Sequence, residues 1–597
     1  MDGKRKHLVE WRDVLLFTCC VAVMAWQCLV VALETCLGGM GRLPHELHAA
    51  AMSAASALLL LSPWWLLPRR WRGLVWMPLV AVTLWCLMQL WYARAYDDIM
   101  PVSAYTMTQN VNNTLLASTL ALVRWRDLLV ALPPCLLAVL WLCCYRRHGY
   151  DGGGRLVPFC LTLAAAAVSA ALGLWQPGRT VTVRDQLTHN YGNSTYFARN
   201  GLLPYLAHSL HDAAFTHKVT DADRALVREF ISEQCPHYVD NSYATDRPNL
   251  VLIIVESLHT WPIGMRVDGR EVTPTLNSLV TRDSVIYVPH VLFQTCHGHS
   301  SDAYLIYNTG LLPLRDAAVA VSHGAGPYPS LASALEGYDT RLAICTPAGN
   351  WNQAVTARAY GFDTLYTRHH LEQTGLLARH AGVDDAALTH LCGNLLPQFR
   401  QPFFLEMVTM TMHTPYNPGK VRDTWITRSD TLTAEARGYL NCVNLTDSCL
   451  GAFFEQLSVA GLQRSTVVAI VSDHTQLYLN RIEGRPDQQF QPRDWGIPAI
   501  IVGADTTLTL TATVGQCDIY PTLLDVMGAN RYPWKGLGHS LLRYPVGSAI
   551  MPRNMSVVGD QQSPLVSQQL QAWQVSRLLI NDAPHWFATP GGELWQP

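Results

Sequence analysis

Five apolar stretches in the first third of the chain constrain its fold more than any motif does. They run near Val14–Leu33, Ala49–Leu67, Leu74–Tyr92, Leu128–Cys144 and Leu156–Trp175, each close to the roughly twenty residues a helix needs to cross a bilayer. Backbone in hydrocarbon must satisfy its own hydrogen bonds, so such stretches become helices. The second is the weakest, because Pro63 interrupts it. Glu34 and further spans follow the first where a signal peptide would have a small-residue cleavage site, so a cleaved leader is not expected.

Basic residues stay on the cytoplasmic side and so set the orientation. Lys4, Arg5, Lys6 and Arg12 precede the first span, Arg69, Arg70 and Arg72 separate the second from the third, and Arg146, Arg147 and Arg155 separate the fourth from the fifth. The opposite loops carry Asp97, Asp98 and Asp127, set against Arg94, Arg124 and Arg126. An odd number of spans then puts everything after about Pro177 outside the cytoplasm. Three regions follow: a five-helix transmembrane domain over 1–177, a connector over 178–245, and an extracytoplasmic domain over 246–597. Within the connector, Tyr196, Phe197, Leu202, Leu203, Tyr205 and Leu206 suit a segment lying along the membrane surface. A formal charge of -2 over 597 residues gives no reason to expect nucleic acid as a partner. Seven cysteines, Cys235 to Cys517, fall in the outer region, an odd number whose pairing the sequence leaves open.

From Asn249 short apolar runs alternate with amphipathic stretches. Leu250–Val255, Leu342–Cys345, Phe403–Met410, Thr466–Val471 and Pro498–Val502 read as strands, and Ser330–Leu335, Asp384–Leu396 and Ala434–Leu457 as helices. This alternation predicts an α/β domain with a mostly parallel sheet, whose ligand site lies off the carboxyl ends of the strands. Glu256 follows the first strand, His413 the Phe403–Met410 run, and Asp473 with His474 the Thr466–Val471 run. Three strand ends carrying carboxylate and imidazole point to a metal site.

The stretch Phe293–Leu305 contains His297, His299, Ser300, Ser301 and Asp302, just before an apolar run from Ala303 to Leu312. A serine at a helix start suits attack on an anionic group, and a divalent cation activates a hydroxyl that is a poor nucleophile alone. The expected cation ligands are Glu256, Ser300, Asp473 and His474. His413, His299 and His297 are left for proton transfer or phosphoryl contacts, and Ser301 with Asp302 for capping the helix.

The order Asn249–Ser257, Gly298-His-Ser-Ser-Asp302, Met412-His-Thr-Pro-Tyr416 and Val471-Ser-Asp-His474 resembles the lipoteichoic acid synthase branch of the alkaline phosphatase and sulfatase superfamily. Gln516–Asp525 looks like a segment of that superfamily's C-terminal part, and five spans before an outer catalytic domain match the branch's arrangement, which implies a multi-pass protein of a bacterial inner (cytoplasmic) membrane with its catalytic domain on the periplasmic (extracytoplasmic) side. The resemblance implies an alkaline phosphatase-like (sulfatase) fold and one divalent metal, manganese first, with zinc or magnesium as alternatives. It implies transfer of phosphoglycerol from a membrane phospholipid to Ser300, with release of diacylglycerol, and then to a glycan or glycerophosphate acceptor. His413 would assist catalysis, and His299, Trp351, Asn352 and His413 would contact substrate.

Two departures stand out. His299-Ser300 replaces the branch's Lys-Thr, and Gln353 stands where Trp-Asn-Arg has a headgroup-binding arginine, with Arg358 nearby in sequence. The loss of that charge keeps phosphatidylethanolamine, and hence phosphoethanolamine transfer, open beside phosphatidylglycerol. A sulfatase-type hydrolase is disfavoured because Cys296–Ser300 lacks the proline and arginine that formylglycine conversion needs. An inactive sensory or binding domain is disfavoured by the intact Glu256, Ser300, Asp473 and His474.

Overall fold

The structure is a computed structural model that describes residues 11–37, 43–96, 98–106, 123–142, 156–175, 183, 187, 193–214, 219–234, 248–375, 377, 384–414, 416, 421, 424–427, 432, 434–475, 496–529 and 531–588. The chain divides into two compact units, one of residues 1–106 with 116–216, the other of 107–115 with 217–597.

In the first unit, α1 (Trp11–Ala32), α2 (Leu43–Leu61), α3 (Trp76–Tyr96), α4 (Asp127–Leu140) and α5 (Leu156–Leu174) coincide with the five apolar stretches. Among the described residues four helical segments are long and apolar enough to cross a membrane: Asp13–Thr35, Glu46–Leu66, Trp71–Arg94 and Leu156–Leu174. The fourth expected span is shorter, a helix of 14 residues that continues into Trp141 and Leu142, and Cys143 and Cys144 lie outside the described residues. Pro63 ends α2 early, and the chain continues as a 3-10 turn over Ser62–Leu66.

Several buried polar groups in this unit are paired. Pro134 in α4 has no N–H for the Val130 carbonyl, which instead accepts from Gln27 Nε2 of α1 at 2.9 Å; the same amide donates to Thr83 of α3 at 2.9 Å. Asp13 meets Arg72 at 2.7 Å, and Arg94 meets Asp127 at 2.7 Å and Glu34 at 3.1 Å, so each buried charge has an opposite partner. Of the expected connector, α6 (Asn193–Asn200) and α7 (Leu202–Ala214) are helical. They pack Phe197 and Tyr205 against Trp85 of α3, in the same core as the spans.

The second unit is built on nine strands: β1 (Asn249–Val255), β2 (Val285–Leu292), β3 (Asp339–Ile344), β4 (Thr364–Tyr366), β5 (Phe403–Val408), β6 (Thr466–Ser472), β7 (Gly496–Val502), β8 (Leu508–Thr509) and β9 (Val514–Gly515). Their order is β8-β2-β7-β6-β1-β5-β3-β4, with β9 also on β2. The sheet is mostly parallel, as expected, and β7 runs antiparallel to both β6 and β2. The sequence reading missed β2 because Pro289-His290 breaks its apolar pattern, at the point where the β2–β7 register shifts.

Every residue of β1 is buried, as befits a central strand covered on both faces. Alternation sorts them: Leu250, Leu252 and Ile254 enter one core, Val251, Ile253 and Val255 the other. Each large apolar side chain so buried stabilises the fold by about 1.5–3 kcal/mol. Three helices bear on the site: α8 (Ser300–Thr309), α9 (Asp384–Leu395) and α10 (Ala434–Val459). The apolar run expected from Ala303 to Leu312 is therefore helical from Ser300 and ends at Gly310, which adopts a left-handed conformation with φ 67. Cys296, Cys345, Cys392, Cys442, Cys449 and Cys517 are free thiols.

Candidate active site

Parallel strands β1, β5 and β6 are neighbours, so the residues after them share one edge. Glu256 leaves β1 and Asp473 with His474 leave β6; all three are buried, and one ligand atom from each lies within 4.8 Å of the others. The start of α8 brings in Ser300, whose Oγ is 3.4 Å from Glu256 Oε2 and 3.4 Å from His474 Nε2. His474 Nε2 is 3.4 Å from Asp473 Oδ2 and 3.9 Å from Glu256 Oε1. A tetrahedral cation with bonds of about 2.1 Å holds its donors roughly 3.4 Å apart, so these four residues fit a divalent ion. His474 Nδ1 is 3.0 Å from the Thr475 carbonyl, which places the proton there and turns the Nε2 lone pair inward.

The electrostatics fit as well. Burial, then the neighbouring Glu256, pushes the Asp473 carboxyl up to about 6. For His474 burial works against the charged form, but Asp473 and then Glu256 outweigh it and its pKa is raised. Two buried carboxylates side by side favour a cation between them. Desolvation, then His474, His297 and His413, holds His299 well below the usual histidine range, so it is a neutral donor where a lysine would be a charge. Its ring stands edge-on to His474, centroids 4.6 Å apart.

The loop before Ser300 is closed from behind. Asp302 Oδ2 accepts the N–H groups of Cys296 (2.8 Å) and Gly298 (2.9 Å), and Ser301 Oγ donates to the Gly298 carbonyl at 2.7 Å. A Cβ on Gly298 would stand 2.0 Å from Asp302 Oδ1, so only glycine admits this fold-back. The expected capping role is corrected accordingly: His299 occupies the N-cap position, while Ser301 and Asp302 lie inside the helix and bind the preceding loop. Burial pushes the Asp302 carboxyl up to about 7.

His413 lies beyond β5, half-buried, with Nδ1 2.8 Å from the Thr414 carbonyl, and it acts electrostatically on His299. Asp385 of α9 fixes the approach to it, accepting from the N–H groups of Met410 (2.7 Å) and Thr411 (2.9 Å) and from Thr446 of α10 (2.7 Å). Trp351 and Asn352 come from the loop after β3, beside β5. Asn352 Nδ2 donates to the Ala320 carbonyl at 3.1 Å, and Gln353, 3% exposed, accepts from the Thr346 hydroxyl at 2.9 Å. Arg358 is exposed in the last turn of the short helix Gln353–Ala359. Ser257 (φ 51), His299 (φ 42), Trp351 (φ 48) and Asn352 (φ 56) all take left-handed backbone. Such strain in side-chain-bearing residues gathers at functional sites.

Several supporting residues carried no signal in the sequence. Tyr307 donates to the Ser472 carbonyl at 2.6 Å, Tyr439 to the Ser257 carbonyl at 2.9 Å, and Ser257 Oγ to Glu256 Oε1 at 2.8 Å. Only the fold brings such scattered hydroxyls to these strand ends.

Known proteins match the chain in two regions. A family model described as Sulfatase matches residues 248–529, and one described as Lipoteichoic acid synthase N-terminal domain matches residues 4–220. A lipoteichoic acid synthase of Staphylococcus saprophyticus is 26% identical over 324 residues, 52% of this chain and 50% of that protein. Lipoteichoic acid synthase 1 of Bacillus subtilis is 24% identical, covering 62% of this chain and 60% of the relative. A Staphylococcus aureus counterpart is 22% identical, covering 73% and 70%. The chain thus spans half to 70% of the length of these curated relatives. The crystal structure of a lipoteichoic acid synthase from Listeria monocytogenes shares the fold, with a TM-score of 0.51 and 19% identity over 60% of this chain and 98% of that one. With its apolar helices and N-terminal family match, this is a multi-pass membrane protein whose sulfatase-type domain is extracellular. The chain belongs to the lipoteichoic acid synthase-like branch of the alkaline phosphatase and sulfatase superfamily.

Proposed function

We propose that the chain is a phosphotransferase that moves a phospholipid headgroup, phosphoglycerol first, through a covalent phosphoserine at Ser300 to a glycan or glycerophosphate acceptor outside the cytoplasm. The observation that carries this reading is the Ser300 hydroxyl, 3.4 Å from both Glu256 and His474 at the start of a buried helix. A membrane anchor over 1–177 and a connector over 178–245 would keep the 246–597 domain supplied with its lipid donor. Glu256, Ser300, Asp473 and His474 would hold one divalent cation, manganese first and then zinc or magnesium, which would supply positive charge to acidify the serine and offset charge on the phosphoryl group.

The steps belong to the chain's own residues. Ser300 loses its proton to water and Oγ attacks phosphorus; the bond from phosphorus to the diacylglycerol oxygen breaks, and that oxygen takes a proton from His413. With Nδ1 turned to Thr414, Nε2 of His413 is the exchanging nitrogen. An acceptor hydroxyl then attacks the phosphoserine and gives its proton to His413. The bond from phosphorus to Ser300 Oγ breaks, and the serine regains a proton from water. His299, neutral, donates to phosphoryl oxygens rather than pairing with them as an ion, and Trp351 with Asn352 completes the substrate wall.

Ser300→Ala is expected to lower diacylglycerol release from fluorescent phosphatidylglycerol by about a thousandfold or more while the protein stays folded. Release at the native rate would sink the nucleophile assignment. One observation favours a second headgroup: Gln353 is committed to Thr346 and brings no cation, which suits the zwitterionic phosphoethanolamine. The added mass on trapped Ser300 decides between the two.

A further inference from the structure

Two buried glutamines join the nucleophile's loop to the metal-ligand turn. Gln516, 0% exposed, sits just after β9; its Oε1 accepts the Gln294 N–H at 2.9 Å, and its Nε2 donates to the Asp473 carbonyl at 2.8 Å and the Ser472 carbonyl at 3.4 Å. Gln294, 3% exposed, answers with Oε1, which accepts the Cys517 N–H at 2.9 Å. A Cβ on Gly515 would stand 2.8 Å from that Gln294 oxygen, so the glycine is what lets the two side chains lie across each other. Asp518 Oδ2 accepts the Gly515 N–H at 2.7 Å and holds the turn.

We propose that Gln516 and Gln294 form a clasp that positions Asp473 and His474 against Ser300, so that metal ligands and nucleophile keep one geometry. The chemistry requires an amide. A carboxamide accepts at one end and donates at the other, whereas an ionised glutamate donates at neither. Ser472 shows the convergence: its carbonyl accepts from Tyr307 of α8 and from Gln516, and its hydroxyl accepts the Leu258 N–H at 2.9 Å. Helix, clasp and the Glu256 turn thus all bear on the residue before Asp473. Neither glutamine is among the proposed cation ligands, so both are positioning residues.

The test is Mn²⁺ affinity of the full chain in detergent by titration calorimetry, beside thermal melting and the split between kcat and KM for phosphatidylglycerol. Gln516→Ala and Gln516→Glu are each expected to weaken Mn²⁺ binding about tenfold or more, the range for groups that orient metal ligands. kcat should fall with KM changed less than about twofold. Gln294→Ala should act in the same direction, and the double variant should lose less than the sum of the two. Should Gln516→Ala not fold, Gln516→Glu carries the same measurements. Mn²⁺ affinity and kcat within about twofold of the parent in a folded variant, or fully additive losses, would overturn the clasp. The kcat arm rests on the proposed transfer reaction and the affinity arm does not, so failure of one is told apart from failure of the other.

Discussion

At the scale of single residues, the candidate site includes a carboxylate that burial works to keep protonated. Asp473, pushed up to about 6 by burial and by Glu256, must be ionised to hold a cation. As pH falls, protons therefore compete with Mn²⁺ first at His474, whose pKa is raised above the usual histidine value, and below about pH 6 at Asp473 as well, so that affinity should fall there by about tenfold or more per pH unit and binding should release protons. Calorimetry in buffers of different ionisation enthalpy measures both; an affinity flat from pH 7 to 5 would remove Asp473 from the ligand set. His299 shows the same physics with the opposite outcome, since desolvation keeps it neutral and makes it a hydrogen-bond donor in place of a cation.

At the scale of elements, α8 is held by more than apolar packing. Asn308, on the same helix as Ser300, donates to Glu406 Oε2 of β5 at 2.7 Å. Glu406 lies on the strand face that carries Phe404 and Val408 into one core, and burial pushes its carboxyl up to about 8. The folded state therefore binds a proton that the unfolded chain gives up near the ordinary carboxyl value. Its burden on stability is absent below about pH 4.5, grows as pH rises, and is complete above about pH 8. Glu406→Gln keeps an acceptor for Asn308 and removes the titration. It is expected to stabilise the domain by on the order of a few kcal/mol at pH 8 and by little at pH 5, read from thermal midpoints across that range. Equal gains at both pH values would mean that Glu406 is ionised or exposed.

At the scale of the whole molecule, the two units have separate cores. Among the described residues, the apolar clusters on both faces of the sheet draw on residues from Leu226 onward, while a third draws on residues up to Leu206. A domain with its own core folds by itself. A chain beginning at residue 217 is thus expected to fold, to bind Mn²⁺ within about threefold of the full chain, and to cleave a short-chain soluble phosphatidylglycerol while losing activity on vesicles. Loss of metal binding on truncation would show that the membrane unit completes the site.

The sequence by itself determined the five apolar stretches and the α/β alternation and marked Glu256, Ser300, His413, Asp473 and His474 as candidates, because hydrophobic period and strand-end chemistry are local properties of the chain. It could not show that Asp302 closes the loop before Ser300, since the N-cap role depends on backbone angles at His299. β2 escaped notice for a similar reason: a bulge at Pro289-His290 erases the period that marks a strand. Gln516, Gln294, Tyr307 and Glu406 became meaningful only in the tertiary structure. Their partners lie tens to hundreds of residues away, and a buried polar side chain takes its role from whichever backbone group the fold leaves beside it.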